Sequence, residues 1–416
     1  MKTIKPLLTE MCKWLFISLL IGLGVGTASA GFLQSLDWAT NYRETHLWII
    51  AFLPIAGFAV GCLYYYWGKD VEAGNNLLID TIHNPQKIIP LRMAPFVYVG
   101  TMMTHFFGGS AGREGTALQM AGALADQLSR PLRLSREDRK ILMIAAIAAG
   151  FGSVFGTPLA GAIFGLEVFL IGRLKYNALF ATFCSAILAD IVTKLWQTEH
   201  THYSIGFIPE MTFLNLIYAI FAGIVFGFCA LFFSKSMTFV SSIFKSKIAF
   251  PPLRPFVGGI IVALAVLAIG TTKYIGLGIP IIVLSFSEQL APYDFALKIA
   301  FTVLTLAAGF KGGEVTPLFF IGAALGNALA FVIPLPLALL VGMGFVAVFA
   351  GATNTPLACT IMALELFGSG CGVYVALACV SAYLVSGNNG IYKKQMLGVA
   401  KHKSGAHHEG KRLEDL

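Results

Sequence analysis

Apolar residues follow one another along this chain in long blocks, with short polar or charged turns between them. The first block, about 15–36, can cross about 30 Å of hydrocarbon as a helix that rises about 1.5 Å per residue. Several later blocks are too short to cross alone, which is typical of broken helices that line a site within a membrane. Further apolar segments are predicted near 47–66, 95–108, 114–128, 139–155, 158–172, 176–195, 212–234, 256–270, 279–287, 295–309, 316–334, 336–350, 355–367 and 371–386.

The N-terminal segment also has the form of a secretory signal peptide. Lys2 and Lys5 precede an apolar stretch that ends in the small residues 28–30, a plausible cleavage site. Because the apolar character resumes at Phe32, we favour a first helix that is retained over one that is removed.

Composition sets the class of protein. Of 416 residues only 12% are charged, against roughly 25% in a soluble globular chain, and 57% are hydrophobic. So few ionic side chains cannot cover an ordinary water-exposed surface, which excludes a soluble enzyme, a secreted disulfide scaffold and a disordered protein. The sequence therefore predicts an all-α polytopic membrane protein. Basic loops facing the cytoplasm explain the net charge of +8 more simply than nucleic-acid binding does.

The chain contains an internal repeat. Residues 112–118 match 312–318 at an offset of 200, including the glutamates Glu114 and Glu314. Residues 157–169, with the glutamate Glu167, match 355–367, with Glu365, at an offset of 198, and residues 74–78 match 276–280 more weakly. Three blocks in the same order predict two homologous membrane repeats, 10–195 and 210–390.

Charge predicts that the second repeat is inverted relative to the first. The turn after the Glu114 segment carries five basic residues, which places it in the cytoplasm. The corresponding turn at 331–337 is uncharged, as a turn on the other side of the membrane would be. Both termini are basic, so we expect cytoplasmic termini, a short basic tail at 391–416 and a location in the inner (plasma) membrane. The basic residues of the turn are Arg130, Arg133, Arg136, Arg139 and Lys140.

Glu114 is the residue most strongly predicted to carry a function. An acidic side chain within a membrane is costly, and Gly112 and Gly115 leave the backbone bare where a helix begins. Bare N–H groups and the helix dipole attract anions, and inverted repeats bring the helix starts near Gly115 and Thr316 to one pocket. A carboxylate there can take the place of a mobile anion and leave when protonated. Burial and a neighbouring anion both favour the protonated form, which links proton and anion occupancy.

The other charged residues of the apolar segments leave more than one interpretation open. Glu314 is either a second proton- or anion-linked residue or the acidic cap of the helix that contains Pro317. Glu167 and Glu365 are expected to be structural, paired with arginine or backbone, and Lys311 to extend towards water or pair with a glutamate. Neither a metal site nor a cofactor is predicted, and His105 is expected to be a packed residue.

Several motifs together resemble the CLC chloride channels and anion/proton antiporters. They are Gly112-Arg113-Glu114-Gly115 with its basic turn, Thr157-Pro158-Leu159-Ala160-Gly161, and Thr355-Pro356-Leu357 with Leu364-Glu365. The similarity runs over about 15–395. It implies a homodimer with one pore per subunit and Glu114 as the gating glutamate. It also implies an anion site formed by Asn75, Gly112, Arg113, Gly115, Val315, Thr316 and Tyr392.

Two motifs depart from the common pattern of that family. Most members have Gly-Ser-Gly-Ile-Pro where this chain has Gly74-Asn75-Asn76-Leu77-Leu78, and Gly-x-Phe-x-Pro where it has Gly313-Glu314-Val315-Thr316-Pro317. Both departures resemble the fluoride-exporting CLC-F branch. Fluoride is strongly hydrated and needs several short donors, and the amide of Asn75 offers two N–H groups where a serine offers one. Asn75 could instead be a helix cap. Val168 follows Glu167 where many antiporters of the family carry a second, inner glutamate, so any inner proton relay differs from theirs.

These observations predict an antiporter that exports fluoride in exchange for protons. The near alternative is a chloride channel or chloride/proton antiporter of the same fold. An alternative of another class is an intramembrane enzyme that uses Glu114 and Glu314 as acid and base, but the sequence supplies neither a nucleophile nor a metal set for it. The expected partners are fluoride or chloride, protons, lipid and a second copy of the chain, with no nucleic acid.

Overall fold

The computed structural model describes residues 4–416, so Lys2 lies outside the described residues. It is an all-α protein, as the sequence predicts, and its only regular strands in the described part are β1 (Leu170–Ile171) and β2 (Met396–Leu397). The α-helices are α1 Ile4–Thr45, α2 Leu53–Trp67, α3 Asn75–His83, α4 Met93–Phe106, α5 Glu114–Asp126, α6 Arg136–Phe155, α7 Pro158–Glu167, α8 Leu179–Leu195, α9 Phe213–Lys247, α10 Leu253–Ile269, α11 Ile279–Ser285, α12 Asp294–Ala307, α13 Val315–Leu329, α14 Leu337–Thr353, α15 Pro356–Phe367 and α16 Gly372–Val385. Short 3-10 turns occur at Leu47–Phe52, Gln127–Ser129, Tyr176–Ala178, Ser369–Cys371, Lys403–His408 and Leu413–Asp415.

Helix lengths agree with the mixture of long and short apolar segments in the sequence. Four helical stretches, Leu7–Thr45, Leu47–Trp67, Tyr176–Leu195 and Phe213–Lys247, are long and apolar enough to cross a membrane. Helix α1 spans 42 residues and continues through the small residues 28–30, so it extends beyond the predicted 15–36 at both ends. Several apolar helices, including α7, α13 and α15, have only 10–17 residues.

The sixteen described helices form two sets of eight that follow the same order, and the sequence repeat recurs in three dimensions. Asp126, at the end of α5, accepts a hydrogen bond from the backbone N–H of Ile89 over 2.8 Å. Asn327, in the last turns of α13, accepts one from Leu290 N–H over the same distance. The two acceptors are 201 positions apart in the chain, and so are the two donors, which is close to the offset of the sequence motifs. The repeat boundaries of 10–195 and 210–390 stay a prediction.

Two glutamates, of which Glu167 is buried and Glu365 partly buried, join the halves reciprocally. The carboxylate of Glu167, at the end of α7, accepts hydrogen bonds from the first backbone N–H groups of α15, at Leu357 (3.2 Å) and Ala358 (2.9 Å). Glu365, in α15, accepts from the first N–H groups of α7, at Leu159 (3.0 Å) and Ala160 (2.7 Å). Each carboxylate satisfies N–H groups that a helix start leaves unpaired. Their partners are therefore backbone groups rather than an arginine.

Glycine allows the close packing of the helices around the centre. A Cβ atom on Gly322 of α13 would lie 2.0 Å from the carbonyl oxygen of Gly344 in α14, so the two backbones touch at this point. Small residues commonly let membrane helices approach in this way. The periphery carries large exposed apolar side chains such as Phe213 (81% exposed) and Leu267 (78%), as a lipid-facing surface does.

The tail at 391–416 packs against the helical body, which the sequence did not predict. Strand β2 pairs in parallel with β1, which follows α7. Arg412 forms an ion pair with Asp80 of α3 at 2.5 Å. The buried amide of Gln395 donates to the carbonyl oxygens of Val168 and Thr353. These contacts fix the start of the tail next to the helix starts described below.

Candidate functional site

Two glycine segments bring the starts of α5 and α13 together. The backbone N–H of Gly112 donates to the carbonyl of Gly313 over 2.6 Å, and Gly313 N–H donates to the Gly112 carbonyl over 2.8 Å, in an antiparallel bridge. A Cβ atom on Gly313 would lie 2.6 Å from the backbone nitrogen of Gly115, so only glycine fits there. The predicted meeting of the two helix starts is therefore present.

Glu114 is the first residue of α5, and its fully buried carboxylate reaches the start of α13. Its Oε2 accepts hydrogen bonds from the backbone N–H groups of Thr316 and Arg113, both over 3.1 Å. Its Oε1 accepts a short hydrogen bond from the hydroxyl of Thr316. The side chain thus occupies the place at the α13 N-terminus where an anion would find free donors.

A positive charge lies beside this carboxylate. Nε of Arg113 is 3.8 Å from Oε1 of Glu114, and the Arg113 side chain is only 11% exposed. The same Nε has no hydrogen-bond partner in the described part of the chain. Val315, the first residue of α13, is fully buried against this region. Guanidinium, helix dipole and three hydrogen-bond donors therefore favour negative charge at this point.

A small cavity of about 150 Å³ contains the other predicted site residues. Asn75, Glu314 and Tyr392 all line it, although the three come from α3, from the loop before α13 and from the tail. The hydroxyl of buried Tyr392 and the Oδ1 atom of Asn75 have no hydrogen-bond partner in the described chain. A polar group that is buried without a partner is costly, so these atoms mark a place for a polar ligand or water.

The carboxylate of Glu114 and the cavity are neighbours. A Cβ atom on Gly115 would lie 3.0 Å from Nδ2 of Asn75, so the amide reaches the first turn of α5. Gly112 belongs to the bridge, and the adjoining Gly312 lines the cavity. The structure therefore brings together two groups of predicted residues, one around the Glu114 carboxylate and one around the cavity. The first group is Gly112, Arg113, Gly115, Val315 and Thr316, and the second is Asn75, Glu314 and Tyr392.

Neither Glu314 nor Asn75 acts as a helix cap. Glu314 stands immediately before α13, but its side chain makes no cap hydrogen bond. Asn75 is the first residue of α3, behind Gly74 with φ +58°, and no side-chain cap is formed there. The capping alternatives for both residues are thus wrong in this structure, and their side chains are available to the cavity.

The remaining candidates, His105 and Lys311, lie at the edge of the site. His105 is fully buried in α4, with its Nε2 atom 3.5 Å from the Gly112 carbonyl oxygen. Within residues 4–416, no group of three or more His, Cys, Asp or Glu side chains is placed to hold a metal ion. The ammonium of Lys311 lies 3.9 Å from the centre of the Tyr64 ring, and no carboxylate within the described chain pairs with it.

The sequence did not predict several residues that line the cavity, among them Gln119 and Tyr64. Gln119 of α5 lines it, and its amide lies 3.2 Å from where a Cβ on Gly74 would stand. Tyr64 of α2 also lines it. Gln119 lies five positions after Glu114 in an otherwise apolar helix, which is a signal that the sequence does contain.

The arrangement can exchange a carboxylate for an anion. An ionised Glu114 satisfies the donors at the α13 start, whereas a protonated Glu114 loses much of that attraction. A small anion could then take the vacated donors, and the adjoining cavity offers it the amide of Asn75 and the hydroxyl of Tyr392. This chemistry couples the position of one proton to the position of one anion.

Comparisons with known proteins identify the family of this chain. The profile of the family described as "Voltage gated chloride channel" matches residues 56–387. The chain is 55% identical over 402 residues to a "Chloride/fluoride channel protein" of Pseudomonas syringae pv. tomato, a match that covers 95% of this chain and 89% of the relative. It is 25% identical over 384 residues to an "H(+)/Cl(-) exchange transporter" of Salmonella schwarzengrund, with 85% of this chain and 80% of that one covered.

Solved structures lead to the same group. A crystal structure of a CLC-type fluoride/proton antiporter superimposes with a TM-score of 0.90 and 34% identity, over 93% of this chain and 98% of that chain. A slow cyanobacterial Cl⁻/H⁺ antiporter superimposes with a TM-score of 0.79 over 90% of this chain and 94% of its own. At 19% identity the second likeness shows the fold alone.

Proposed function

This chain belongs to the voltage-gated chloride channel family, and from that premise we propose that it exchanges fluoride for protons across a membrane. The observation that carries the proposal is the position of Glu114. Its buried carboxylate accepts hydrogen bonds from the backbone and the hydroxyl of Thr316, at a helix start suited to an anion.

Exchange follows from competition for one set of donors. While Glu114 is ionised, it holds the N–H groups of Arg113 and Thr316 and excludes an anion from them. When a proton neutralises Glu114, the donors are released and a fluoride ion binds them. Glu114 then releases the proton on the side from which the anion came. The ionised carboxylate returns to the donors and expels the anion to the side from which the proton came, so that the two ions cross in opposite directions.

Fluoride is favoured over chloride by the polar groups of the cavity. Fluoride is strongly hydrated, so a binding site must replace its water with strong hydrogen-bond donors. Asn75 supplies a two-donor amide and Tyr392 a hydroxyl, both beside the cavity, whereas a single serine hydroxyl would supply one donor. The relatives named for chloride/fluoride channel and fluoride/proton antiport activity share 55% and 34% of their aligned residues with this chain. Glu314 extends the proposal as a second proton- or anion-linked carboxylate in the same cavity.

The cellular setting belongs to the same proposal. The apolar helices and the family place the chain in a membrane. We assign it to the inner (plasma) membrane with cytoplasmic termini, because the basic residues gather at the termini and in the turn after α5. Repeats at 10–195 and 210–390, a tail at 391–416 and a homodimer complete the assignment. The activity is transport, and no enzymatic reaction is assigned to Glu114 and Glu314.

Flux measurement in liposomes tests the proposal directly. Purified protein is reconstituted into vesicles loaded with fluoride or, in parallel, with chloride, and a pH-sensitive dye reports the interior. Fluoride efflux accompanied by proton uptake is expected, with chloride efflux slower. Chloride efflux faster than fluoride efflux would refute the fluoride assignment, and anion flux without proton movement would refute exchange.

A further inference from the structure

Lys311 is a cation that the exchange reaction described above does not use. It lies in the loop between α12 and α13, directly before Gly312 and Gly313. At the offset of 200 that relates the two halves, the corresponding residue is Ala111. A positive charge directly before the glycine segment is therefore a feature of the second half alone.

The side chain of Lys311 is held in place without an ion pair. A Cβ atom on Gly100 of α4 would lie 2.9 Å from both Cβ and Cγ of Lys311, so the lack of a side chain at Gly100 makes room for the lysine stem. The ammonium lies 3.9 Å from the centre of the Tyr64 ring. Across residues 4–416, it neither donates a hydrogen bond nor lies within ion-pair distance of a carboxylate.

The ammonium stands where two cavities meet. One is the cavity of about 150 Å³ that Asn75 and Tyr392 line, and the other is larger, about 370 Å³. Four residues line both cavities, namely Lys311, Tyr64, Glu72 and Leu306. The larger cavity, here called the vestibule, is formed at the ends of α2 and α9 and the start of α10. The small cavity borders the tail, where Lys394 N–H donates to Asn76.

The vestibule is strongly basic. Three further cations line it, and one carboxylate, Glu72, opposes them. Lys69, Glu72 and Lys245 are exposed, so this wall communicates with water. Positive charges therefore outnumber negative ones between the surface and Lys311, and a predominantly basic cleft concentrates anions. The three cations are Lys69, Lys245 and Arg254.

An ammonium with no carboxylate within ion-pair distance is costly in a membrane protein and marks a functional position. Glu72 lines both cavities with Lys311, but it is exposed and acts on the ammonium only from a longer distance. The ring of Tyr64 replaces part of the hydration that the ammonium loses, but the aromatic face brings no negative charge to neutralise it. A small anion that passes from the vestibule to Asn75 would supply the missing negative charge. The geometry points to Lys311 as an anion-binding residue at the junction between the vestibule and the central cavity, where a halide ion arriving from the vestibule binds before it reaches Asn75.

This inference rests on the proposed anion transport, and it predicts a change in apparent affinity. Lys311→Met keeps the length of the stem and removes the charge. It is expected to raise the fluoride concentration for half-maximal flux about tenfold, the factor that corresponds to about 1.4 kcal/mol, with a smaller change in the maximal rate. Lys311→Arg retains the charge and is expected to stay within about twofold of the wild type.

Matched variants separate anion binding from a structural role. Lys87→Met removes an exposed lysine that lines neither cavity and should leave the affinity unchanged. Gly100→Ala displaces the lysine stem without removing its charge and should weaken the affinity partly. If Lys311→Met fails to fold, the Gly100→Ala and Lys311→Arg pair still decides the question.

The measurements are fluoride efflux at graded internal fluoride, and calorimetric titration of the solubilised protein with fluoride and with chloride. Half-saturation that is unchanged in Lys311→Met and Gly100→Ala, while the wild type exchanges fluoride for protons, would overturn this inference alone. A wild type that moves no fluoride would refute the proposed function. In that case the titration still tests Lys311, since a loss of chloride or fluoride binding in Lys311→Met supports it and unchanged binding overturns it.

Discussion

The carboxylate of Glu114 accepts a hydrogen bond from the backbone N–H of Thr316 over 3.1 Å, although the two residues are 202 positions apart in the chain. Each stands at the start of a helix in a different half of the protein. An acidic side chain from one repeat therefore occupies the anion-attracting end of a helix from the other. Protonation of Glu114, in the first half, therefore changes the hydrogen bonding of the helix start at Thr316, in the second half.

Replacing Glu114 by glutamine should uncouple the two ions. The amide cannot carry a proton between the two sides, so proton movement is expected to disappear, while residual fluoride flux loses its dependence on pH. Fluoride electrodes and an interior pH dye, read on the same vesicles, measure both. Glu137→Gln, at an exposed carboxylate, is the control and should behave as wild type. Proton flux that persists unchanged in Glu114→Gln would exclude this residue as the exchanger.

Replacing Asn75 should change ion preference rather than stability. Its Oδ1 has no hydrogen-bond partner in the described chain, so Asn75→Leu loses no interaction of the resting protein. Loss of the amide donors is expected to lower the fluoride affinity about tenfold, as the loss of one hydrogen bond of about 1.5 kcal/mol to a charged group would. Asn84→Leu is the matched control, because Asn84 is exposed and does not line the cavity. If both variants shift the fluoride to chloride flux ratio equally, the assignment of Asn75 fails.

Tyr392→Phe should weaken fluoride binding without lowering the stability of the fold. The hydroxyl is buried without a hydrogen-bond partner in the described part of the chain, so its removal costs little and relieves an unsatisfied group. The thermal unfolding midpoint is expected to stay equal or rise, while the fluoride concentration for half-maximal flux increases. A fall in the unfolding midpoint with unchanged flux would show that the hydroxyl is structural.

Glu167 and Glu365 should contribute to stability and not to coupling. Each carboxylate caps the helix of the other repeat, so Glu365→Ala is expected to cost about 1 kcal/mol, in the range of a lost helix cap. Thermal unfolding in detergent measures the loss, and the ratio of protons to fluoride ions should be unchanged. A changed ratio in Glu167→Ala would instead place that residue in the proton route.

The buried ion pair at the end of α5 can be tested against its counterpart in the other half. Arg139 donates two hydrogen bonds of 2.7 Å to Asp126. In the other half Asn327 stands in the place of Asp126, and the positions that correspond to Arg139 are Leu339 and Leu340. Asp126→Asn alone leaves a buried arginine without its partner and is expected to cost about 3–5 kcal/mol. The double variant Asp126→Asn with Arg139→Leu should recover most of that loss. Equal unfolding midpoints for the single and double variants would contradict this account.

The sequence by itself determined the helical membrane fold, the two related halves and most residues of the site. Hydrophobic blocks dictate membrane helices because backbone groups in lipid must bond within their own segment. The motif around Glu114 and its counterpart around Glu314 are local, so glycines and carboxylates mark both helix starts without any knowledge of packing.

Tertiary structure alone decided which groups from distant segments meet. The Glu114 carboxylate reaches Thr316, and the tail carries Tyr392 into the cavity beside Asn75, only because the two halves close on each other and strand β2 pairs with β1. The reciprocal caps of Glu167 and Glu365 have the same origin. Hydrophobic periodicity describes how each segment relates to lipid, but a hydrogen bond between segments depends on backbone positions that only the packed halves define.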